Sequence, residues 1–322
     1  MLSKLKEKLP NIKENELMSE HTTFKIGGSA KYFFEAKNNQ DLVLALKTAD
    51  ELNLKYFVLG GGSNILFSDN GFDGLVIKQS NDNFEIKDEK IFCESGADVQ
   101  KVLTATLDAG LIGWSWAGGL PGTIGGAIRG NAGAYGKGMS DITELVEVYY
   151  QGKVQNFSNE QMKFSYRHSI AKNIPCVIIS AVLKLQRGDT IPDRAEVAAY
   201  IDHRVKTQPL DYPNVGCIFK NIDLRKVQVD KERVKNKLDI SEEEWLKATK
   251  FNKLPISFIF DKMNLKGKTM GQAQVSEKHG AFIINLGLAR AEQVVMLMSD
   301  LKMRARNELG ITLEEEIELI GF

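Results

Sequence analysis

Two glycine clusters set the tightest limit on how this 322-residue chain can fold. The first, Gly60-Gly61-Gly62-Ser63-Asn64, directly follows the apolar run Tyr56–Leu59. The second, Pro121-Gly122-Thr123-Ile124-Gly125-Gly126, lies in a glycine-dense stretch from Gly118 to Gly138. Glycine permits φ > 0 and a close approach of backbone to a neighbour or a ligand. Either cluster alone reads as a tight turn. Two of them, with Ser63, Asn64 and Thr123 as side-chain donors, instead suggest concave sets of backbone N–H groups suited to a pyrophosphate. The familiar phosphate loops do not fit. Ile65 stands where a dinucleotide fingerprint needs its third glycine, and the chain runs on as a strand instead of opening a helix. The only Gly-Lys-Thr, Gly267–Thr269, has Lys262 where a P-loop needs its first glycine.

Hydrophobic spacing around these clusters predicts short strands mixed with helices. Tyr56–Leu59, Ile65–Phe67 and Leu75–Ile77 read as extended, and Phe84–Lys87 with Lys90–Glu94 as a hairpin turning at Asp88-Glu89. Asp98–Leu111 has helical spacing. Leu145–Tyr150 and Lys153–Phe157 flank Gln151-Gly152 as a second hairpin, and Cys176–Leu185 reads as a long strand. Pro192 suits the first turn of a helix to about Lys206, with Val197, Ile201 and Val205 on one face. Residues 223–253 carry nine basic and seven acidic side chains and read as a solvated helical excursion. Ser241 and Glu244 form a capping box within it. A helix near Pro255–Asn264, a strand Ala281–Asn285, a long helix Ala289–Leu309 and a final strand Leu313–Ile320 complete an α+β chain. Boundaries are expected near residues 80 and 195.

Charge excludes one class of partner. Lys and Arg number 42 and Asp and Glu 42, so a general nucleic-acid binder, which needs a basic excess, is not expected. Met1–Pro10 has no apolar core before a small-residue cleavage site, and no apolar run is long enough to span a bilayer. Cys93, Cys176 and Cys217 are odd in number and never form a CxxC, which argues against a disulfide framework or a metal site. The expectation is a cytoplasmic monomer without membrane or nucleic-acid partners.

Motifs along almost the whole chain resemble the MurB family, the UDP-N-acetylenolpyruvoylglucosamine reductases of peptidoglycan synthesis. They are HTTFKIGG (21–28), LGGGSNIL (59–66), GLPGTIGGAIRGNAGAYG (119–136), FSYRHS (164–169), TQPLDYPNVGCIFKN (207–221), GQAQVSEKHGAFIIN (271–285) and LEEEIELIG (313–321). Their order matches that of the family, and the set is more specific than any one member. The short route from FSYRHS to IISAVLKL is similar to the type II branch, which lacks a tyrosine-bearing loop over the substrate.

The resemblance implies an α+β fold of three subdomains. A PCMH/VAO-type FAD-binding fold would occupy 1–80 and 81–195, and a substrate-binding domain 196–310, with 311–322 as a terminal strand. It implies FAD as cofactor, held by Gly60, Gly61, Gly62, Ser63, Asn64, Pro121, Gly122, Thr123, Gly125 and Gly126. It implies NADPH as electron donor and a UDP-sugar enolpyruvyl ether as substrate. In the family, hydride reaches C3 through flavin N5 and a proton is delivered to C2.

Individual residues carry over by motif. Arg167 matches the catalytic arginine, whose planar fork suits a carboxylate. Glu316 matches the catalytic glutamate, and strand alternation would put it on one face with Glu314 and Glu318. Cys217 stands where the best-known members have the serine that donates the C2 proton. A thiol, titrating near ~8.5, is a far stronger acid than a hydroxyl and competent for that task. Tyr166, Arg204, Lys206, Lys220, Asn221, Glu277 and His279 fall at expected substrate-binding positions. Thr207 replaces a family lysine, leaving Lys206 to serve from one position away. Ile222 replaces a proline, and the charged segment 223–253 departs from the family's short link. Two alternatives stand beside this reading: another flavin oxidoreductase of the same fold, and a flavin-binding protein with weak or no turnover.

Overall fold

The computed structural model describes residues 1–322, and contacts divide them into two compact units. The first unit comprises Met1–Glu16, Ser29–Gly62 and Phe72–Lys206; the second comprises Leu17–Gly28, Ser63–Gly71 and Thr207–Phe322. The split falls inside the first glycine cluster, between Gly62 and Ser63.

After a short helix, Leu2–Lys8, and an edge strand, Lys13–Leu17, the first unit builds a parallel βαβ arrangement. Strand β1 (Ser29–Ala36) leads through helix α1 (Asn39–Glu51) to β2 (Tyr56–Leu59), and β3 (Phe72–Gln79) pairs in parallel with both. Asn38 starts α1 by accepting a 2.8 Å bond from the Asp41 amide, as an N-cap asparagine should. Leu42, Ala45, Leu46 and Ala49 recur at helical spacing and are fully buried among Tyr32, Phe34, Leu75 and Ile77. Because helix packing covers it, β3 reads as a near-continuous buried run, Gly74–Ile77.

A five-stranded antiparallel sheet follows. Its strands are β4 (Phe84–Lys87), β5 (Lys90–Glu94), β6 (Thr143–Tyr150), β7 (Lys153–Ser158) and β8 (Val177–Lys184), in the order β7-β6-β8-β5-β4. Both expected hairpins form where predicted, with Asp88, Gln151 and Gly152 at positive φ in the turns. Two helices serve this sheet. In α2 (Val99–Asp108), Asp98 accepts from the Gln100 and Lys101 amides; α3 (Ile124–Gly130) begins at Thr123. Val99, Val102, Leu103 and Leu107 of α2 join Trp114, Trp116 and Ile128 in its core.

The unit closes with α4 (Thr190–Thr207), an 18-residue helix with no buried residue. Of its expected apolar face only Val197 packs against the core of the antiparallel sheet; Ile201 is 41 % and Val205 52 % exposed. Polar anchors fix it. The Asp193 carboxylate accepts from the Gly113 amide at 2.8 Å and Glu196 from the Ser115 hydroxyl at 2.6 Å, while Arg194 reaches Asp108 at 2.7 Å.

In the second unit, β9 (Asn214–Cys217) leads to two helices of the charged segment, α5 (Lys231–Leu238) and α6 (Glu242–Ala248), and then to α7 (Ile256–Lys262). Strands β10 (Ala273–Val275) and β11 (Phe282–Asn285) precede the long α8 (Ala291–Arg304). The sheet runs β9-β11-β10, with Thr269–Met270 beyond β10. Residues Ile65–Phe67 pair in parallel with Glu318–Ile320.

Two expectations are corrected here. Segment 223–253 is a helical excursion, with the capping box at Ser241 and Glu244 formed, but it is not merely solvated. Val234, Leu238, Ile240 and Trp245 are buried in the same core as Phe260 and Leu297. One ladder, Ile222–Asp223 against Lys253–Leu254, closes its neck. The final strand is shorter than Leu313–Ile320; only Glu318–Ile320 is a strand. Before it the chain makes single contacts: the Lys220 amide bonds the Glu314 carbonyl, and the Glu316 amide the Ile218 carbonyl. The expected alternation fails with it, because half-buried Glu315 binds Lys302 at 2.6 Å and Leu319 is 38 % exposed.

Candidate functional site

The glycine clusters have a steric reason visible within the first unit. A Cβ on Gly61 would lie 2.8 Å from the Gly122 Cα, and one on Gly60 2.8 Å from the Thr123 hydroxyl. Gly61 meets Gly122 backbone to backbone, so only glycine allows this approach of the two loops. Gly62 and Gly122 add positive φ, at 68° and 110°. This cradle fits a pyrophosphate, and thus the diphosphate of FAD.

Not every glycine presents its amide. Gly125 donates to the Ser95 carbonyl at 2.8 Å and Ile124 to that of Ala97 at 2.9 Å, in a short ladder with Val99 and Gly122. A Cβ on Gly125 would meet Ser95 Cβ at 2.8 Å, so this residue serves close packing. The Gly126 amide donates to Thr123 Oγ1 at 3.3 Å. Gly122 and Thr123 are the donors of this loop that the ladder leaves over.

Side chains from regular elements hold the loops. Gln100, on α2, donates to the carbonyls of Ala117 and Leu120 at 2.8 and 2.9 Å and accepts from the Gly119 amide at 2.7 Å. Arg204, on α4, donates through Nε to the Gly118 carbonyl at 3.0 Å. Gly119 must be glycine for that approach, since a Cβ there would lie 2.9 Å from Arg204 Cδ. Tyr200 of α4 stacks on Tyr135 of the glycine-dense stretch, with centroids 4.0 Å apart.

Arg167 occupies the corner of a two-residue turn. Ser165 and His168 exchange backbone bonds of 3.0 and 3.1 Å, and Arg167 takes φ 56°. That left-handed conformation is unfavourable for a residue with a Cβ, and such strain tends to gather at functional sites. The guanidinium donates to the Gly133 carbonyl at 2.9 Å and lies 5.6 Å from the Tyr166 ring centroid. Asn131 Nδ2 donates to the Ser165 carbonyl at 2.9 Å, tying the turn to the glycine-dense stretch. Lys206 pairs with Asp202 on its own helix at 2.6 Å.

The second unit gathers the remaining residues. Cys217 ends β9 in register with Phe282 and is partly exposed. The bond from the Glu316 amide to the Ile218 carbonyl, 2.8 Å, sets Glu316 beside the residue that follows Cys217. Asn64 Nδ2 donates to the Glu316 carbonyl at 3.0 Å and the Glu318 amide to the Asn64 carbonyl at 3.0 Å, so Asn64 positions the glutamate segment. Lys220 reaches Glu314 at 3.2 Å. Asn221 accepts from the Ile256 amide at 3.1 Å, where α7 begins. The His279 ring accepts from the Ala281 amide at 3.3 Å and packs edge-on to Phe282, while the Glu277 carboxylate lies over Gly267. Burial pushes the Cys93 thiol up to about 12 and that of Cys176 up to about 11, which keeps both protonated.

Residues 30–158 match the model of an FAD binding domain, and 208–320 that of the C-terminal domain of UDP-N-acetylenolpyruvoylglucosamine reductase. A reductase of that name from Anoxybacillus flavithermus is 33 % identical over 331 residues, covering 99 % of each chain. The chain belongs to the UDP-N-acetylenolpyruvoylglucosamine reductase family. A reductase from Clostridioides difficile is also 33 % identical, over 97 % of this chain and 94 % of its own. The crystal structure of the reductase from Thermus caldophilus superimposes with a TM-score of 0.74 at 28 % identity, over 95 % of this chain and 98 % of that one. As a member, the protein is an FAD-dependent oxidoreductase of α+β fold, as the motifs led one to expect. No helix is long and apolar enough to cross a membrane.

The motifs do not single out Gln100, which lies outside them and holds the loop, or Asn131, which lies within 119–136 and holds the arginine turn. They also miss Lys78, although a lysine closing the apolar run Leu75–Ile77 is a readable signal.

Proposed function

We propose that this reductase converts UDP-N-acetylglucosamine enolpyruvate to UDP-N-acetylmuramate with electrons from NADPH. Relationship over the full length to reductases of that name supports it, and one observation carries it furthest. Cys217 lies one residue from the backbone bond that holds Glu316. When bound, FAD would supply the hydride, and Gly60–Gly62 with Gly122 and Thr123 would hold its diphosphate.

Arg167 binds the substrate carboxylate. Its guanidinium stabilises the enolate charge that grows as hydride adds at C3, which is where a cation lowers the barrier most. Its Nη1 donates to the Gly133 carbonyl, which steadies the guanidinium. Cys217 donates its thiol proton to C2, and Glu316 supports the reacting centre by hydrogen bonding. Arg204 and Lys220 serve the UDP diphosphate, Lys220 exchanging its surface pairing with Glu314 for phosphate oxygens. Asn221 and His279 shape the site through the backbone amides they already bind.

NADPH oxidation followed at 340 nm, with product analysis by NMR in D2O, tests the reading. Oxidation should depend on the enolpyruvyl substrate, and deuterium should enter C2 of the lactyl product. Oxidation of NADPH that is indifferent to this substrate would rule it out.

A further inference from the structure

Lys78 is the one charged residue in the run Gly74–Gln79 of β3, the strand lying between β1 and β2. It is half-buried, and stands opposite Leu59, the last residue of β2 before the first glycine loop. On its other side its register partner is Glu35, whose carboxylate accepts from the Ser80 hydroxyl at 2.8 Å. The Lys78 ammonium donates to the Gly60 carbonyl. Burial pulls the lysine pKa down, with Glu35 acting in the opposite direction. A neutral carbonyl repays only part of the cost of holding an ammonium out of water.

The peptide geometry says what this contact does. In a trans peptide the C=O and N–H point in opposite directions. Drawing the Gly60 carbonyl toward Lys78 turns the Gly61 N–H to the far side of the loop. Gly61 is also the residue whose missing Cβ lets the loop touch Gly122. The same contact leaves positive charge one peptide behind the amides. We propose that Lys78 is a positioning residue for the cofactor's diphosphate, acting through the Gly60–Gly61 peptide and through its charge. The assignment rests on the reading of the glycine loops as the FAD diphosphate site.

Apo-protein titrated with FAD, read by quenching of flavin fluorescence, tests it. Lys78→Met should raise the FAD Kd by about 10- to 100-fold, the range for one charge-assisted hydrogen bond. Lys78→Gln, which keeps a donor without the charge, should fall between Met and the parent, and Lys78→Arg should stay near the parent. In the Lys78→Arg holoprotein the 31P resonances of bound FAD should move, which a merely structural lysine would not cause. Gln serves if Met does not fold. FAD affinities in Lys78→Gln and in any folded Lys78→Met within threefold of the parent overturn the proposal. Gly61→Ala separates the two levels. Lost FAD affinity there with intact affinity in the Lys78 variants defeats the lysine's role alone; intact affinity in Gly61→Ala defeats the loop assignment as well.

Discussion

At Arg167, stability and function pull against each other. Its φ of 56° costs about 1–2 kcal/mol for a residue with a Cβ, whereas its bond to Gly133 returns about 1 kcal/mol. Arg167→Gly should therefore leave the denaturation midpoint close to that of the parent, while kcat/KM falls at least ~100-fold through loss of charge stabilisation. A large loss of stability would show that the arginine holds the turn. Cys217 makes a sharper case. Cys217→Ser should keep activity, and Cys217→Ala should lose about 10²–10⁴ in kcat, the usual worth of a general acid. Equal rates in the alanine variant would remove the thiol from the mechanism.

At the scale of elements, polar side chains decide what apolar patterning leaves open. Gln100 makes three bonds to segment 117–120, so Gln100→Leu should weaken FAD binding by about tenfold, the effect of losing one or more net hydrogen bonds, with little change in helix content. Flavin retention during gel filtration checks this. In the charged segment, bonds from the Arg225 guanidinium lower Asp223 to about 2, against the desolvation of a 7 % exposed carboxylate. Lys262 and the Ser241 amide lower Glu244 likewise to about 2. Both folded values lie below the unfolded ones, so the stabilisation is complete above the ordinary carboxylate range and is lost as pH falls toward about 2. Hydrogen exchange across 223–253 should accelerate over that acid window in the parent, and less so in Asp223→Asn. Identical profiles would remove the carboxylate from this role.

At the scale of the whole molecule, the sequence was most informative where one local rule sufficed. Asp88-Glu89 and Gln151-Gly152 located both hairpins, helical spacing located α2, and the Ser241–Glu244 box located α6; the helix α1 was not read from the sequence. It was less informative where a residue's environment comes from far along the chain. Val197, Ile201 and Val205 share one face of α4, yet only Val197 packs against the core, and Asp193, Arg194 and Glu196 anchor the rest. Charge density hid Val234, Leu238, Ile240 and Trp245, because composition averages over the few apolar residues that are buried. Motifs named the glycine loops, yet only the structure separates Gly61, which lets the loops meet, from Gly125, whose amide and missing Cβ serve Ser95. The excursion is thus part of the second unit's core, and Trp245→Ala should cost about 3–5 kcal/mol in denaturant unfolding. A solvated appendage would lose almost nothing.

The most direct test of the central assignment is anaerobic stopped-flow absorbance of the FAD-loaded protein. NADPH should bleach the flavin band near ~450 nm, a reduction the cofactor itself carries. UDP-N-acetylglucosamine enolpyruvate should then restore it without oxygen, more slowly in Cys217→Ala than in the parent. Flavin that NADPH bleaches and this substrate leaves reduced would contradict the account.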